Sequence, residues 1–276
     1  MTSTPDPTAL GVLAQAAARE AGALLLAERE RIREALPWIP NDADLTASAA
    51  AMDVFTATDR AAEAVIVRCI LEARPHDGMV AEEGTSIEGG PVRWVIDPID
   101  GTANYLRGIP HFSVSIAAEI DGAVVAGIVF NPVTDELFCG VRGSGAWLNE
   151  APIRVSAERR LSHAVVATGL GNPGDPAVVR QHVDRLSAVL PLIADVRRTG
   201  SAALDLCWVA CGRVDAYYEA GQSPWDIAAG DLIVREAGGR SEAITPDAPL
   251  GDHTWLAATP ALFEPLRDHL TLGVSA

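Results

Sequence analysis

The chain has 276 residues, 49% of them hydrophobic and 21% charged, with a formal net charge of −16. That balance excludes a disordered chain, and the acidity argues against a nucleic-acid surface, because phosphate backbones attract basic patches. The length suits one large domain or two small ones and is ample for a real core.

In chain order, Thr8 to Leu36 reads as a long amphipathic helix rich in Ala, Leu, Glu and Arg. Pro37 to Thr56 has turn formers and no steady period, so it reads as loop with a short strand at most. Thr58 then caps a helix from Asp59 to Ala73 that Pro75 ends. "DGMVAEEG" reads as a strand ending at Glu82 and Glu83. Four strand-like runs follow, "VRWVID", "FSVSIAAEI", "AVVAGIVFNP" and "ELFCGVRG", with hairpin signals at Asp121-Gly122 and in "NPVTDE". Residues 1–150 thus predict two helices and a largely antiparallel sheet, and the boundary falls near "NEAPIRVSAERR".

Residues 151–276 alternate. "HAVVATG", "IADVRR", "VDAYYEA" and "TWLAAT" read as strands. "DPAVVRQHVDRLSAVL", "SAALDLCWVACGR" and "SPWDIAAGDLIVREAGG" read as helices, the last capped by Ser223 and closed by Gly238-Gly239. The expected class is layered α/β. No basic n-region precedes an apolar run at the N-terminus, and no apolar stretch reads as long enough to cross a bilayer. Cys69, Cys139, Cys207 and Cys211 are scattered and read as buried thiols, which fits a reducing cytoplasm. His111, His163 and His182 have no ligand partners at metal spacing and read as ordinary polar or surface residues.

The chemistry concentrates in "WVIDPIDGTANYLRG", Trp94 to Gly108. An apolar run stops at Asp97, and a second carboxylate, Asp100, follows three residues later. Two such anions repel, and burying them is costly unless a cation sits between them. Carboxylates and the Ile99 carbonyl are hard oxygen donors suited to Mg²⁺ or Mn²⁺. Gly101 and Thr102 would offer backbone N–H groups at a helix start, an anion site. A turn capped by aspartate remains the alternative on spacing alone.

Four separated motifs add a resemblance. "DPIDGTANY" is similar to the D-P-x-D-G-T signature of the inositol monophosphatase family of magnesium-dependent, lithium-sensitive phosphatases. "AEEG" (Ala81 to Gly84) resembles its G-E-E motif, "DVFTATD" (Asp53 to Asp59) its D-x-V-T-x-x-D segment, and Ser223 to Gly239 its W-D-x-A-A-G signature. The stretch "FNPVTDELFCGVRGSGAWLNEAPIRVS" also looks like the family's, and the likeness runs from about residue 8 to 270.

The resemblance implies an α-β-α-β-α sandwich and two or three Mg²⁺ per site. Glu82, Asp97 and the Ile99 carbonyl would hold the first ion; Asp97, Asp100 and Asp226 the second; Asp59 with Glu82 a third. Thr102, with Asp59 behind it, would hold the attacking water. Gly101 and Thr102 would take the phosphate, Gly200, Ser201 and Ala202 would face the sugar, and Glu219 would meet substrate hydroxyls. The sequence departs from the family at Ser48, where a loop lysine is usual, and at Phe55, where Val is usual; the lost lysine bears most on the third ion.

Inositol monophosphate leads as substrate, followed by histidinol phosphate, with fructose 1,6-bisphosphate and adenosine bisphosphates behind. The resemblance further implies a homodimer, with no direct nucleic-acid or membrane partner. A regulatory protein-binding role with residual phosphatase activity is the alternative of another class.

Overall fold

The structure, a computed structural model, describes residues 5–35, 49–170, 176–245 and 253–272. Two helices lead: α1 (Pro7–Ala35) and α2 (Ala49–Ala73). The first sheet follows with β1 (Gly78–Ala81), β2 (Ser86–Ile87) and β3 (Val92–Asp100). After the short helix α3 (Thr102–Arg107) come β4 (Ser113–Ile120), β5 (Ala123–Asn131), β6 (Glu136–Val141), β7 (Gly145–Leu148) and β8 (Ala151–Pro152). The second sheet is built from β9 (Val165–Thr168), β10 (Asp195–Arg197), β11 (Ala216–Ala220), β12 (Arg240–Ala243) and β13 (Thr254–Ala258). It is interleaved with α4 (Pro176–Val189), α5 (Ala202–Ala210) and α6 (Pro224–Glu236), and α7 (Pro260–Leu272) closes the chain.

The eight-stranded sheet has the order β2-β1-β3-β4-β5-β6-β7-β8. Only β1 and β3 run parallel in it; the other pairs are antiparallel. The five-stranded sheet has the order β10-β9-β11-β13-β12, parallel through its first three strands and antiparallel beyond. Helices α1 and α2 cover the outer face of the first sheet, α5 and α6 lie between the sheets, and α4 and α7 sit outside the second. The expected α-β-α-β-α layering is the layering found.

Among the described residues three apolar cores fill the spaces between the layers, the middle one on both sides of α5 and α6. Leu10, Leu25, Ile66 and Ile70 join α1 and α2 to Trp94, Ile96 and Ile116 of the first sheet. Leu206, Ile227 and Ile233 of the middle helices join Val95 and Val129 to Tyr217 and Ala257, so the two halves of the chain share one core. Each fully buried aliphatic side chain contributes about 1.5–3 kcal/mol. The middle layer is closely seated: a Cβ at Gly127 would lie 2.8 Å from the Ala229 carbonyl oxygen and 2.9 Å from its Cα. Glycine on β5 therefore lets the α6 backbone rest against the sheet, which sets where the first turn of α6 lies.

Several sequence expectations need correction. The loop expected to run to Thr56 ends sooner, because α2 begins at Ala49 and Thr58 lies inside it rather than capping it. The alanines of "AAAMD" are the strongest helix formers and carry no penalty that would stop the helix at Asp59. Helix α7 lacks a clean signal because Pro265 sits within it. Proline removes one helical hydrogen bond, but Leu262, Phe263, Leu266 and Leu270 pack on the second sheet and hold the helix. The short strands β2, β7, β8 and β12 were also not anticipated.

The expectation that no stretch could span a bilayer also fails, since Pro7–Ile32 passes on length and composition. In this fold that helix buries Leu10, Ala14, Ala17, Ala18, Ala21 and Leu25 against its neighbours. His182, expected among polar or surface residues, is buried, whereas His163 is exposed. Ser48 lies outside the described residues.

Candidate active site

Strand β3 does not stop at Asp97 as its sequence suggests. It runs on to Asp100, with an irregularity in its pairing with β4 between those two residues. Pro98 cannot donate to a ladder, and such residues occur in sheets at bulges. The bulge places both carboxylates at the buried end of the strand, Asp97 at 1% exposure and Asp100 at 8%. Asp97 Oδ1 accepts from the Ile99 N–H at 2.9 Å, an Asx-type turn that fixes its rotamer. The Ile99 carbonyl accepts from the Thr102 hydroxyl at 3.3 Å.

Gly101 follows at φ 93°, a left-handed conformation open to glycine, and α3 starts directly after it. A Cβ there would meet the His111 carbonyl oxygen at 3.1 Å and that of Gly200 at 3.2 Å. The Gly101 turn and the Gly200 turn are thus packed together, although a hundred residues separate them in the sequence. Asn104 ties them further, donating to the carbonyls of His111 at 2.6 Å and Thr199 at 2.8 Å.

Asp100 reaches into the second turn. It accepts from the Ser201 hydroxyl, from Ala202 N at 3.2 Å and from Ala203 N at 2.8 Å. Ser201 also caps α5, accepting from Leu204 N. Asp226 stands in the first turn of α6, where its Oδ2 accepts from Ser223 N at 2.7 Å. The Ser115 hydroxyl of β4 donates to the Trp225 carbonyl at 3.2 Å and joins that turn to the first sheet.

Glu82 follows β1, which pairs with β3, and its N–H donates to the Ile96 carbonyl at 3.1 Å. Glu63 of α2 holds the turn beyond it, accepting from Glu83 N at 2.8 Å and Thr85 N at 3.1 Å. Glu63 lies one turn after Asp59, on the same helix face. Glu83 pairs with Arg60 at 3.7 Å and lies near enough to Asp59 to raise it.

The electrostatics follow from this crowding. Burial raises Asp97 well above the usual carboxylate range, aided by Glu82, Asp100 and Asp226. Burial also raises Glu82, partly offset by a hydrogen bond with Asp97. Asp100 is raised by burial against the lowering effect of its donors from Ser201, Ala203 and Ala202. Asp226 is pushed up to about 7 by burial and by the Asp100, Glu82 and Glu219 carboxylates. Asp59 goes up to about 8 through burial and the charges of Glu83, Glu82 and Glu63. Its Oδ1 is buried without a hydrogen-bond partner.

The oxygens of this cluster are aimed chiefly at protein donors. Among the described residues no three His, Cys, Asp or Glu side chains close round a single metal position. The residues nevertheless fit a hard divalent cation in kind. They are all oxygen donors, they repel one another, and Asp59 Oδ1 is unmatched.

Two sequence-selected regions are thereby brought together, the Asp97–Thr102 turn with Gly200, Ser201 and Ala202, and Asp226 joins them through the field it shares with Asp100. Glu219 sits on β11, close enough to bear on Asp226 and Asp205. Glu63, Asn104 and Ser115 were not anticipated from sequence. Only Glu63 carried a signal, its spacing of four from Asp59.

A model described as the inositol monophosphatase family matches residues 9–269. The chain is 43% identical over 225 residues to the Nus factor SuhB of Haemophilus influenzae, covering 81% of this chain and 80% of that protein. It is 46% identical over 196 residues to the inositol-1-monophosphatase of Rhizobium meliloti, covering 68% and 71%. The structure of Mycobacterium tuberculosis SuhB matches with a TM-score of 0.83 at 34% identity, covering 98% of this chain and 99% of that one.

Proposed function

We propose, from the premise that this chain belongs to the inositol monophosphatase family, that it is a Mg²⁺-dependent phosphomonoesterase acting on a small polyol monophosphate, inositol monophosphate first. One observation carries the reading. Glu82, Asp97, Asp100 and Asp226 come from three separate parts of the chain into one buried neighbourhood, and burial holds each above its ordinary pKa, with neighbouring carboxylates adding to the rise at Glu82, Asp97 and Asp226. Such a set is costly without a cation.

Glu82, Asp97, the Ile99 carbonyl, Asp100 and Asp226 would hold two Mg²⁺, with Asp59 and Glu82 at a third position. Bound there, the ions would supply Lewis-acid charge to activate water and to stabilise the phosphoryl and leaving oxygens. Backbone N–H groups of Gly101 and Thr102 receive the phosphate. The Thr102 hydroxyl and Asp59 orient the attacking water, and Glu219 accepts from a substrate hydroxyl while the turn at Gly200, Ser201 and Ala202 borders the polyol. No nucleophilic side chain is needed, because in-line transfer to water requires positioning and positive charge. Cytoplasmic localisation and a two-fold homodimer belong to the same proposal.

The test is phosphate release from inositol, histidinol, sugar and nucleotide phosphates, with EDTA and then with Mg²⁺ restored. Chelation should abolish release and Mg²⁺ should restore it, with inositol monophosphate hydrolysed best. Release that survives exhaustive chelation would overturn the mechanism, and preference for histidinol phosphate would overturn the substrate.

The name of the Haemophilus influenzae relative supports a second reading, a regulatory protein-binding role. The net charge of −16 suits a basic partner surface. An Asp97→Asn variant would separate the two readings, losing phosphatase activity while keeping any partner complex seen with the unmodified chain by co-purification.

A further inference from the structure

Strand β11 sends alternate side chains to opposite faces. Tyr218 enters the outer core beneath α7, whereas Tyr217 enters the middle layer against α5 and α6. Glu219, two residues on, shares the face of Tyr217. The Tyr217 hydroxyl donates to Glu219 Oε2 at 2.9 Å, and the ring is fully buried. Burial and the nearby Glu219 and Asp205 carboxylates keep the phenol protonated, so it acts as a donor.

A second constraint comes from the neighbouring strand. β9 runs parallel to β11, with Ala167 opposite Tyr217 and Thr168 opposite Tyr218. The next residue, Gly169, therefore passes beside Glu219. A Cβ at Gly169 would lie 1.9 Å from the Glu219 carboxyl carbon and from each of its oxygens. The carboxylate occupies the space that a side chain at 169 would need.

We infer that Tyr217 and Gly169 form a seat for the Glu219 carboxylate and, as positioning residues, set the preference of the enzyme for phosphate esters that carry further hydroxyl groups. The inference rests on the reading of Glu219 as the contact to substrate hydroxyls. A hydrogen bond from a hydroxyl to a carboxylate is directional, so its strength depends on where the carboxylate is held. Tyr217 orients it from one side, and the missing side chain at 169 leaves it room on the other. Neither residue touches the phosphoryl group in this scheme. Their effect should therefore depend on the alcohol portion of the substrate.

Two substitutions perturb the seat by different routes. Tyr217→Phe keeps the ring in the core and removes only the donor. Gly169→Ala displaces the end of a flexible side chain rather than backbone, so Glu219 moves and the fold remains. The experiment measures kcat and KM of the Mg²⁺-loaded full chain for inositol monophosphate and for a plain aryl phosphate, together with thermal melts. The proteins are the unmodified chain, both variants, Glu219→Gln, and Tyr217→Phe combined with Glu219→Gln.

Each single seat variant should lower kcat/KM for inositol monophosphate roughly five- to tenfold, chiefly through KM. Aryl phosphate turnover and the melting temperature should change little. Tyr217→Phe should add little in the Glu219→Gln background, because the charge-assisted bond that it orients is then lost. Equal losses on both substrates, or additive losses in the double variant, would mean a structural role and overturn the inference. Unaltered single seat variants beside an impaired Glu219→Gln would overturn the seat while leaving the Glu219 assignment intact. If Glu219→Gln itself hydrolyses inositol monophosphate normally, that assignment fails and the inference falls with it.

Discussion

Replacing Asp226 by Asn should make the metal-free protein more stable while destroying its function. The substitution removes one charge from the carboxylate cluster and keeps an oxygen able to accept from Ser223 N, which lies 2.7 Å from Oδ2. Burial and neighbouring carboxylates raise Asp226 from 3.8 to about 7 in the folded chain. At 1.36 kcal/mol per pH unit, ionising it there costs about 4 kcal/mol more than in the unfolded chain. Shared protonation and relaxation within the cluster reduce this to about 2 kcal/mol. Because the folded pKa is raised, the folded state binds the proton more tightly than the unfolded state. The associated stability is complete below about pH 3.8 and is lost as pH rises through about 7. Asn escapes that loss. In chelator at pH 8 the variant should melt about 4–8 °C above the unmodified chain, at 2–4 °C per kcal/mol, and the gap should shrink at about pH 5, where Asp226 is protonated. Added Mg²⁺ should reverse the order, because the unmodified chain gains binding energy that the variant has lost. Calorimetric melts at both pH values, with and without Mg²⁺, provide the comparison. A variant that melts below the unmodified chain in chelator at pH 8, or a gap independent of pH, would refute the reasoning.

Gly127→Ala should cost about 1–3 kcal/mol in urea unfolding, since its Cβ would press on the Ala229 backbone; an unchanged midpoint would mean that α6 is not seated as described. Phosphatase activity should fall with LiCl relative to KCl at matched ionic strength, as the family resemblance implies, and superimposable titrations would count against it. Light scattering should give about twice the 28.9 kDa chain mass at every concentration tested, and a constant monomer mass would refute the homodimer.

Parts of the candidate site were legible because their geometry is local. Asp97, Ile99, Asp100, Gly101 and Thr102 lie within six consecutive residues. Their spacing alone keeps them close together, although the bulge itself depends on pairing with β4 and Asp100 is fixed by the distant turn at Ser201. Asp226 was marked by the resemblance of its W-D-x-A-A-G segment to the family's signature, and it proves to be the third residue of a capped helix, where its carboxylate accepts from the Ser223 N–H. The supporting residues were not legible for the opposite reason. Asn104 bonds to a carbonyl 95 residues away and Ser115 to one 110 residues away, and nothing in the local pattern of either distinguishes it from an ordinary polar residue.

The sequence by itself determined the order of most elements and the layered α/β class, since hydrophobic period, capping and turn chemistry act over a few residues. It also carried the family, through four short motifs. Only the tertiary structure decided that α2 begins at Ala49, that α7 survives Pro265 and that β3 continues through its bulge to Asp100. In the first, a segment read as loop for want of a steady period is helical from Ala49; in the other two, tertiary packing and strand pairing outweigh a local signal for a break. The same holds for charge. Four carboxylates from three segments are ordinary solvated anions in an extended chain, and they become a cluster of raised pKa only when folding brings them into one buried place where water no longer screens them.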